Sequence, residues 1–140
     1  MEAPTTVQQS ADKTARRSKR GKQKRSIPYG RIYIQSTYNN TIISFTDEQG
    51  NVIAWVSSGS SGFKGPKKAT PYAASIITKK LFEKIRDVGL RQADVYVKGV
   101  GSGRESSIRA IAAQGVTIVS IKDLTPMPHN GTRPPKVRRV

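Results

Sequence analysis

The chain has 140 residues, which suits one domain with short extensions, and 25 lysines and arginines against 9 acidic residues give it a formal net charge of +16. It contains no cysteine, which excludes disulfides, thiol nucleophiles and cysteine-based zinc sites, and no apolar run has the length of a transmembrane helix. A surface this positive favours a polyanionic partner, which is nucleic acid or an anionic membrane.

The charge is concentrated at both ends of the chain. Residues 1–28 hold eight basic and two acidic residues, and residues 126–140 hold four basic residues and no acid. We therefore predict a basic N-terminal arm (1–28), a single α/β domain (29–125) and an extended basic C-terminal tail (126–140). The arm lacks apolar periodicity, so it should be disordered when free and contact a polyanion, although a solvated tail or a targeting peptide has the same composition. Its candidate contacts are Arg16, Arg17, Lys19, Arg20, Lys22, Lys24 and Arg25.

Three predicted strands open the domain as an antiparallel meander. Alternating residues favour strands over 31–38 and 41–46. Asn39-Asn40 between them suits a two-residue hairpin turn, because asparagine tolerates the left-handed region. The third strand, 52–56, is apolar on both sides and is expected to be buried on both.

A glycine- and serine-rich loop over 57–68 follows and carries Lys64, Lys67 and Lys68 around a Gly-Pro pair. Phe63 in this loop is able either to stack on a base or to fill the core. Thr70-Pro71 is an N-cap followed by proline at the first helical position, and the apolar stripe after it predicts a helix over 71–88 that Gly89 ends.

A second glycine-rich loop joins a predicted strand, 94–98, to a predicted helix, 104–113. Gly99, Gly101 and Gly103 lie within five residues, and glycine permits positive φ and close approach of another backbone. The helix that follows begins with free N–H groups at the positive end of its dipole. With Arg104 and Arg109 nearby, the loop is a candidate anion site. If its backbone lies against phosphate, Gly103→Val should weaken RNA binding and leave the fold largely intact; if the glycines are only structural, stability and binding should fall together.

Two other interpretations of this glycine loop remain. A turn whose glycines only fit its geometry is about as good an explanation of the pattern alone. A dinucleotide site is disfavoured: Asp123 has the spacing of a ribose ligand, but G-x-G-x-x-G would need glycine where Arg104 or Ser106 stands.

A strand over 116–121 completes the order βββαβαβ. Helical crossovers make each of the last two strands parallel to its neighbour, so we predict a five-stranded mixed sheet packed with helices. Four prolines between residues 126 and 135 then exclude a helix or a central strand, and the tail should be an extended, stiff strap.

Catalysis is poorly supported by the residue pattern. His129 is the only histidine and stands among prolines beside Asn-Gly, as a turn residue would. One histidine without cysteine cannot form a usual zinc site, and a metal-dependent nuclease would need converging carboxylates, whereas the strand over 31–38 holds no acid. We expect no enzyme activity, no cofactor and no metal.

Four motifs, in order along residues 27–140, resemble the small-subunit ribosomal protein number eleven family of bacterial type. They are Tyr38-Asn39-Asn40-Thr41-Ile42; Gly62-Phe63-Lys64-Gly65 with Lys67-Lys68 and Thr70-Pro71-Tyr72-Ala73-Ala74; Gly101-Ser102-Gly103-Arg104-Glu105; and Pro128-His129-Asn130-Gly131 with Arg133-Pro134-Pro135-Lys136. One departure is Thr132, where bacterial members usually have cysteine, and residues 1–26 follow no family motif.

The resemblance implies a ribonuclease-H-like fold without its catalysis and a seat on the platform of the small ribosomal subunit, bound to small-subunit rRNA near the messenger RNA exit region. Its neighbours would be ribosomal proteins number seven, eighteen and twenty-one, with no membrane partner, in the cytoplasm or in an organelle. Beyond the arm, the candidate rRNA contacts are Asn39, Asn40, Phe63, Lys64, Lys67, Lys68, Gly101, Ser102, Gly103, Arg104, Arg109, His129, Asn130, Arg133, Lys136, Arg138 and Arg139.

The alternative function is a free-standing nucleic-acid chaperone or DNA-binding protein. The two functions differ in their partners, because a ribosomal protein co-sediments with small subunits and a chaperone does not.

Overall fold

The computed structural model describes residues 25–139. The helices and strands in chain order are β1 (Tyr29–Ser36), β2 (Thr41–Thr46), β3 (Val52–Ser57), α1 (Pro71–Lys84), β4 (Gln92–Lys98), α2 (Gly103–Ala113) and β5 (Thr117–Asp123). The predicted order βββαβαβ is confirmed. No helix within residues 25–139 is long and apolar enough to cross a membrane.

The five strands form one mixed sheet in the order β3-β2-β1-β4-β5. The first three strands pair antiparallel as a meander, whereas β4 pairs parallel with β1 and β5 pairs parallel with β4. The parallel pairings follow from the connections, since a helix returns the chain to the starting end of the sheet before each of the last two strands. The mixed sheet predicted from the sequence is therefore confirmed.

The core lies between the two helices and one face of the sheet. Alternate residues of the central strands are buried, among them Ile32 and Ile34 of β1 and Val95 and Val97 of β4. They join the buried apolar stripe of α1, together with Ile111 of α2, in one cluster. Every second residue of the strands packs in this layer against the apolar residues that recur at helical spacing in α1, so one face of the sheet is shielded from water.

Helix α1 begins where its sequence predicts but ends before the predicted residue 88. The Thr70 hydroxyl accepts a hydrogen bond from the Ala73 N–H at 3.2 Å, and Pro71 occupies the first turn. The α-helical part stops at Lys84, and a short 3₁₀ turn then leads to Gly89, whose φ of 73° is the left-handed value that favours glycine.

The predicted turn between the first two strands is wrong in length and conformation. Strand β1 ends at Ser36, so the connection has four residues, 37–40, closed by the Thr37 N–H donating to the Asn40 carbonyl at 2.8 Å. Asn130 is the one residue other than glycine with positive φ among those described, so neither Asn39 nor Asn40 is left-handed. Asn40 instead uses its side-chain oxygen, which accepts from the Thr41 N–H at 2.9 Å.

The expectation that β3 is buried on both faces is also wrong. β3 is an edge strand, and the helices cover only one face of the sheet. Val56 is buried on that face, whereas the side chains of Val52 and Trp55 are 60% and 54% exposed. An apolar run therefore marks burial on both faces only when the strand is also central.

Candidate nucleic-acid interface

The segments that carry most of the predicted contacts leave the same end of the sheet, which we call the loop end. Strands β1, β3, β4 and β5 finish there and β2 begins there, because β2 runs antiparallel to its neighbours and the other four run in one direction. The loop end consists of the β1–β2 turn (37–40), the lysine loop (58–70), the glycine loop (99–102) and the start of the tail (124–125). In open α/β sheets, the carboxyl ends of the parallel strands are where ligands bind.

Hydrogen bonds join the glycine loop to both of its neighbours. The Gly101 N–H donates to the Ser36 carbonyl at 3.0 Å, which attaches the glycine loop to the end of β1. The Ser102 hydroxyl donates to the carbonyl of Ala69 at 2.7 Å, which attaches it to the lysine loop. The predicted contacts at Ser102 and at Lys67 and Lys68 are therefore brought together.

The start of the tail is attached to the same place. The Leu124 N–H donates to the Val97 carbonyl at 2.8 Å, and the Gly99 N–H donates to the Thr125 hydroxyl at 3.2 Å. After this attachment point, residues 126–139 are exposed and form no helix or strand. The exposed predicted contacts in it are His129, Asn130, Arg133, Lys136, Arg138 and Arg139.

The lysine loop pairs exposed cations with two aromatic rings. Lys64 and Lys67 are exposed, and Phe63 is half-buried against Tyr72, with ring centroids 6.2 Å apart and planes at 82°. Phe63 thus neither fills the core nor stands alone on the surface. The two rings, with Thr70, line a cleft of about 660 Å³. Tyr72, which is 69% exposed, is not among the predicted RNA contacts, although it lies in the Thr70-Pro71-Tyr72 motif.

The glycines of the glycine loop are required by packing within the chain. A Cβ on Gly99 would collide with the Ser36 carbonyl, and one on Gly101 would collide with the side chain of Ser36 and the carbonyl of Thr37. Gly101 and Gly103 are both buried. Their role is to let the loop lie directly on the β1–β2 turn, and their contact with RNA stays a prediction.

Gly103 begins α2 at the point where the two helices meet. A Cβ there would lie 2.7 Å from Thr41 Oγ1 and 3.1 Å from Ala74 Cβ. Since the neighbours include the first turn of α1, a larger side chain would push the two helices apart. These clashes favour the structural alternative, in which Gly103→Val lowers stability and RNA binding together.

Arg104 is committed to the protein more than the sequence suggests. Its Nη1 donates to the Gly99 carbonyl at 2.6 Å and its Nη2 donates to the Asp123 carboxylate, and the side chain is only 33% exposed. Arg109, by contrast, is 77% exposed and pairs with Glu105 one helical turn away. Of the two cations predicted beside the glycine loop, Arg109 is the more accessible.

Asp123 connects β5, the glycine loop and the tail. Its carboxylate accepts from the Thr125 hydroxyl at 2.6 Å and from the Thr125 N–H at 2.9 Å, besides pairing with Arg104. These donors hold the pKa of Asp123 far below its usual range, and the Thr125 hydroxyl has the largest effect. The residue with the spacing of a ribose ligand is therefore a partner of Arg104 instead.

The remaining predicted contacts divide between exposed residues and residues that are not described. Asn39 and Arg25 are exposed, and Lys68 is half-buried. The predictions for Arg16, Arg17, Lys19, Arg20, Lys22 and Lys24 lie outside the described residues.

A comparison with protein families finds a match to a family model described as Ribosomal protein S11, over residues 30–139. The match begins at the second residue of β1 and includes the whole sheet, both helices and the tail through Arg139. It covers the same region as the four motifs.

Gly103→Val should lower stability and RNA affinity together. Overpacking at such a site costs about 1–3 kcal/mol of unfolding free energy. Urea unfolding beside RNA affinity checks this. Gly59→Ala is the matched control, because the nearest atom to its new Cβ is Lys68 Cδ at 3.9 Å, and it should leave both quantities within about 0.5 kcal/mol. A Gly103→Val protein that is as stable as the parent would contradict the packing role.

Asp123→Asn should destabilise the chain at neutral pH and much less in acid. The folded-state pKa is depressed, so this stabilisation is present above the ordinary aspartate value of about 3.9 and is lost as the pH falls below it towards the folded value. Urea midpoints of parent and variant, measured from pH 6 to pH 2, should converge as the pH is lowered. Glu48→Gln, an exposed acid in the β2–β3 turn, is the control. Equal midpoints of parent and Asp123→Asn at pH 6 would refute the role of Asp123.

Proposed function

Because the chain belongs to the ribosomal protein S11 family, we propose that it occupies the platform of the small ribosomal subunit near the messenger RNA exit region, where its loop end and basic extensions contact rRNA. Membership itself makes the protein a structural, non-enzymatic component of the small subunit that binds rRNA and other small-subunit proteins in translation. The free-standing chaperone is therefore set aside.

The observation that carries the proposed contact surface is the convergence of three loops and the tail at one end of the sheet. The tail adds Arg133, Lys136, Arg138 and Arg139 without an acid, and Lys64 and Lys67 stand exposed on the lysine loop. The acids near this end, Asp123 and Glu105, are both paired with arginines of the same chain. Unpaired cations on several segments suit a folded RNA, whose phosphates approach from more than one direction.

The finer assignments follow the same reasoning. The sheet order β3-β2-β1-β4-β5 with helices on one face supports a ribonuclease-H-like fold, and the division into an arm (1–28), a domain (29–125) and a tail (126–140) agrees with where the regular structure lies. Ribosomal proteins seven, eighteen and twenty-one are the proposed neighbours. A cytoplasmic ribosome is the proposed location, and an organelle ribosome would offer the same contacts.

Deleting residues 133–140 should separate stability from assembly. The described part of this segment is exposed and outside every strand and helix, so the unfolding free energy should change by less than about 0.5 kcal/mol. A charge-assisted hydrogen bond to phosphate is worth about 1.5–3 kcal/mol at best, and four lost together would lower rRNA affinity by several orders of magnitude. Competition with the full-length chain for incorporation into small subunits measures the effect.

A full-length chain with an uncharged tail is the control for this truncation. Replacing the four tail cations with glutamine keeps the prolines and the length, so it should reproduce most of the loss if phosphate contacts are responsible. Incorporation equal to that of the full-length parent would assign the binding to the lysine loop and the glycine loop alone.

RNA affinity of the whole chain should depend steeply on salt. If about five phosphates are neutralised, log K against log salt should have a slope of about −3.5 to −4.5, at roughly −0.7 to −0.9 per phosphate. Filter binding of a small-subunit rRNA fragment over a range of KCl concentrations measures this slope. A slope near zero would contradict the electrostatic contact.

A further inference from the structure

The face of the sheet that the helices leave uncovered carries its own organised set of side chains. Side chains alternate along a strand, so the residues between the buried positions of β1 and β4 point away from both helices. On β1 these include Arg31 and Tyr33, and on β4 they include Asp94 and Tyr96. We call this surface the open face.

The strand register places one residue of each strand in a single line across the open face. In the spatial order of the strands, the line is Trp55, Ser44, Tyr33, Tyr96 and Lys122. At about 4.8 Å between neighbouring strands, it spans about 19 Å.

The aromatic groups in the line leave free ring faces towards β3. The rings of Tyr33 and Tyr96 stack with centroids 5.0 Å apart and planes at 15°, and Lys122 Nζ lies 5.8 Å from the Tyr96 centroid. The indole of Trp55 is 54% exposed although β3 contributes other residues to the core. Because Tyr33 and Tyr96 cover one face of each other and Lys122 lies over Tyr96, the ring faces left for a ligand are those of Trp55 and the face of Tyr33 on the Ser44 side.

The charge around the line is positive. Arg31, Lys98 and Lys122 lie on the open face, and Lys98 and Lys122 are exposed. Asp94 is the acid that the described strands place there. Its carboxylate already accepts from the Tyr29 hydroxyl and, at 2.7 Å, from the Ser120 hydroxyl. The uncompensated charge of the open face is therefore cationic.

We propose that the open face is a second rRNA contact, on which an unpaired base stacks on Trp55 or on the free face of Tyr33 while Arg31, Lys98 and Lys122 meet the adjoining phosphates. The proposal rests on the rRNA binding of the family but uses none of the loop-end residues. Bases must be unpaired to expose a ring face, and aromatic residues on an open sheet stack such bases in other RNA-binding domains.

Charge complementarity favours RNA over a protein as the occupant. The cores of protein interfaces are depleted of charged groups. Here cations flank the aromatic line at both its middle and its β5 end, and the exposed amides of Gln35 and Gln92 can bind base edges. Such a mixture of rings, cations and amides matches the chemistry of single-stranded nucleic acid.

Trp55 permits a direct test, because it is the only tryptophan of the chain and its emission reports on the open face alone. A small-subunit rRNA fragment with an unpaired loop should quench Trp55 as it binds, and an RNA duplex of equal length should quench it less. Binding is followed in parallel by the anisotropy of a dye on the RNA, so a chain that binds no RNA is distinguished from one that binds without using this face.

Substitutions at Trp55 and Lys122 separate stacking from charge. Trp55→Leu should lower affinity for the looped RNA about tenfold with an unchanged salt slope, and Trp55→Phe should restore most of it. Lys122→Gln should reduce the magnitude of the salt slope by about 0.7–0.9. Lys79→Gln makes the same change at an exposed position of α1, on the helix side, and should leave the slope unaltered.

Either of two results would overturn the proposal. One is RNA binding by anisotropy with no quenching of Trp55 and parental affinity for Trp55→Leu. The other is that assembled small subunits shield Trp55 from acrylamide while rRNA alone does not, which would assign the open face to a neighbouring protein. Thermal unfolding of each variant shows whether a lost affinity reflects a lost fold.

Discussion

The close approach of the glycine loop to the β1–β2 turn is the constraint on which the rest of the structure depends. Side chains at residues 99, 101 and 103 would collide with Ser36, Thr37 and Thr41, so only glycine lets β4 end, turn and start α2 within four residues while lying on the end of β1. That approach fixes where α2 begins, and the first turn of α2 touches α1 through Ala74. The position of α2 against α1 and on the end of β1 therefore depends on three positions without a Cβ.

The charged side chains beside the glycine loop also help to hold it in place. The Arg104 guanidinium donates to the Gly99 carbonyl and to the Asp123 carboxylate. The Asp123 carboxylate in turn accepts from the hydroxyl and the N–H of Thr125. A cation and an anion that look functional in the sequence thus hold the loop and the first residues of the tail in place. The groups left for RNA are those with no such partner among the described contacts, namely the exposed lysines of the lysine loop and the cations of the tail. The residues that hold the glycine loop in place are therefore different from those available to contact RNA.

The sequence predicted the order of elements, the mixed sheet and the N-cap of α1 because each depends on local patterns, such as Thr70-Pro71 before an apolar stripe. It failed where the outcome depends on neighbours. Val52 to Val56 is as apolar as a central strand, and only the sheet order shows it to be an edge. Asn39 and Asn40 suit a tight turn, but Thr37 closes a four-residue connection through its own hydroxyl and N–H. The line from Trp55 to Lys122 joins five strands, so only the pairing register places those residues together.

A chain with a net charge of +16 must keep its cations apart from its core and from one another until RNA neutralises them. The fold achieves this by giving its sheet one dry face, built from short apolar strands and α1, and leaving the other face and one end polar. The dry face supplies the stability, and its residues include no lysine or arginine. Because the cations are on loops, a tail and the open face, RNA contacts can be added or lost without disturbing that core.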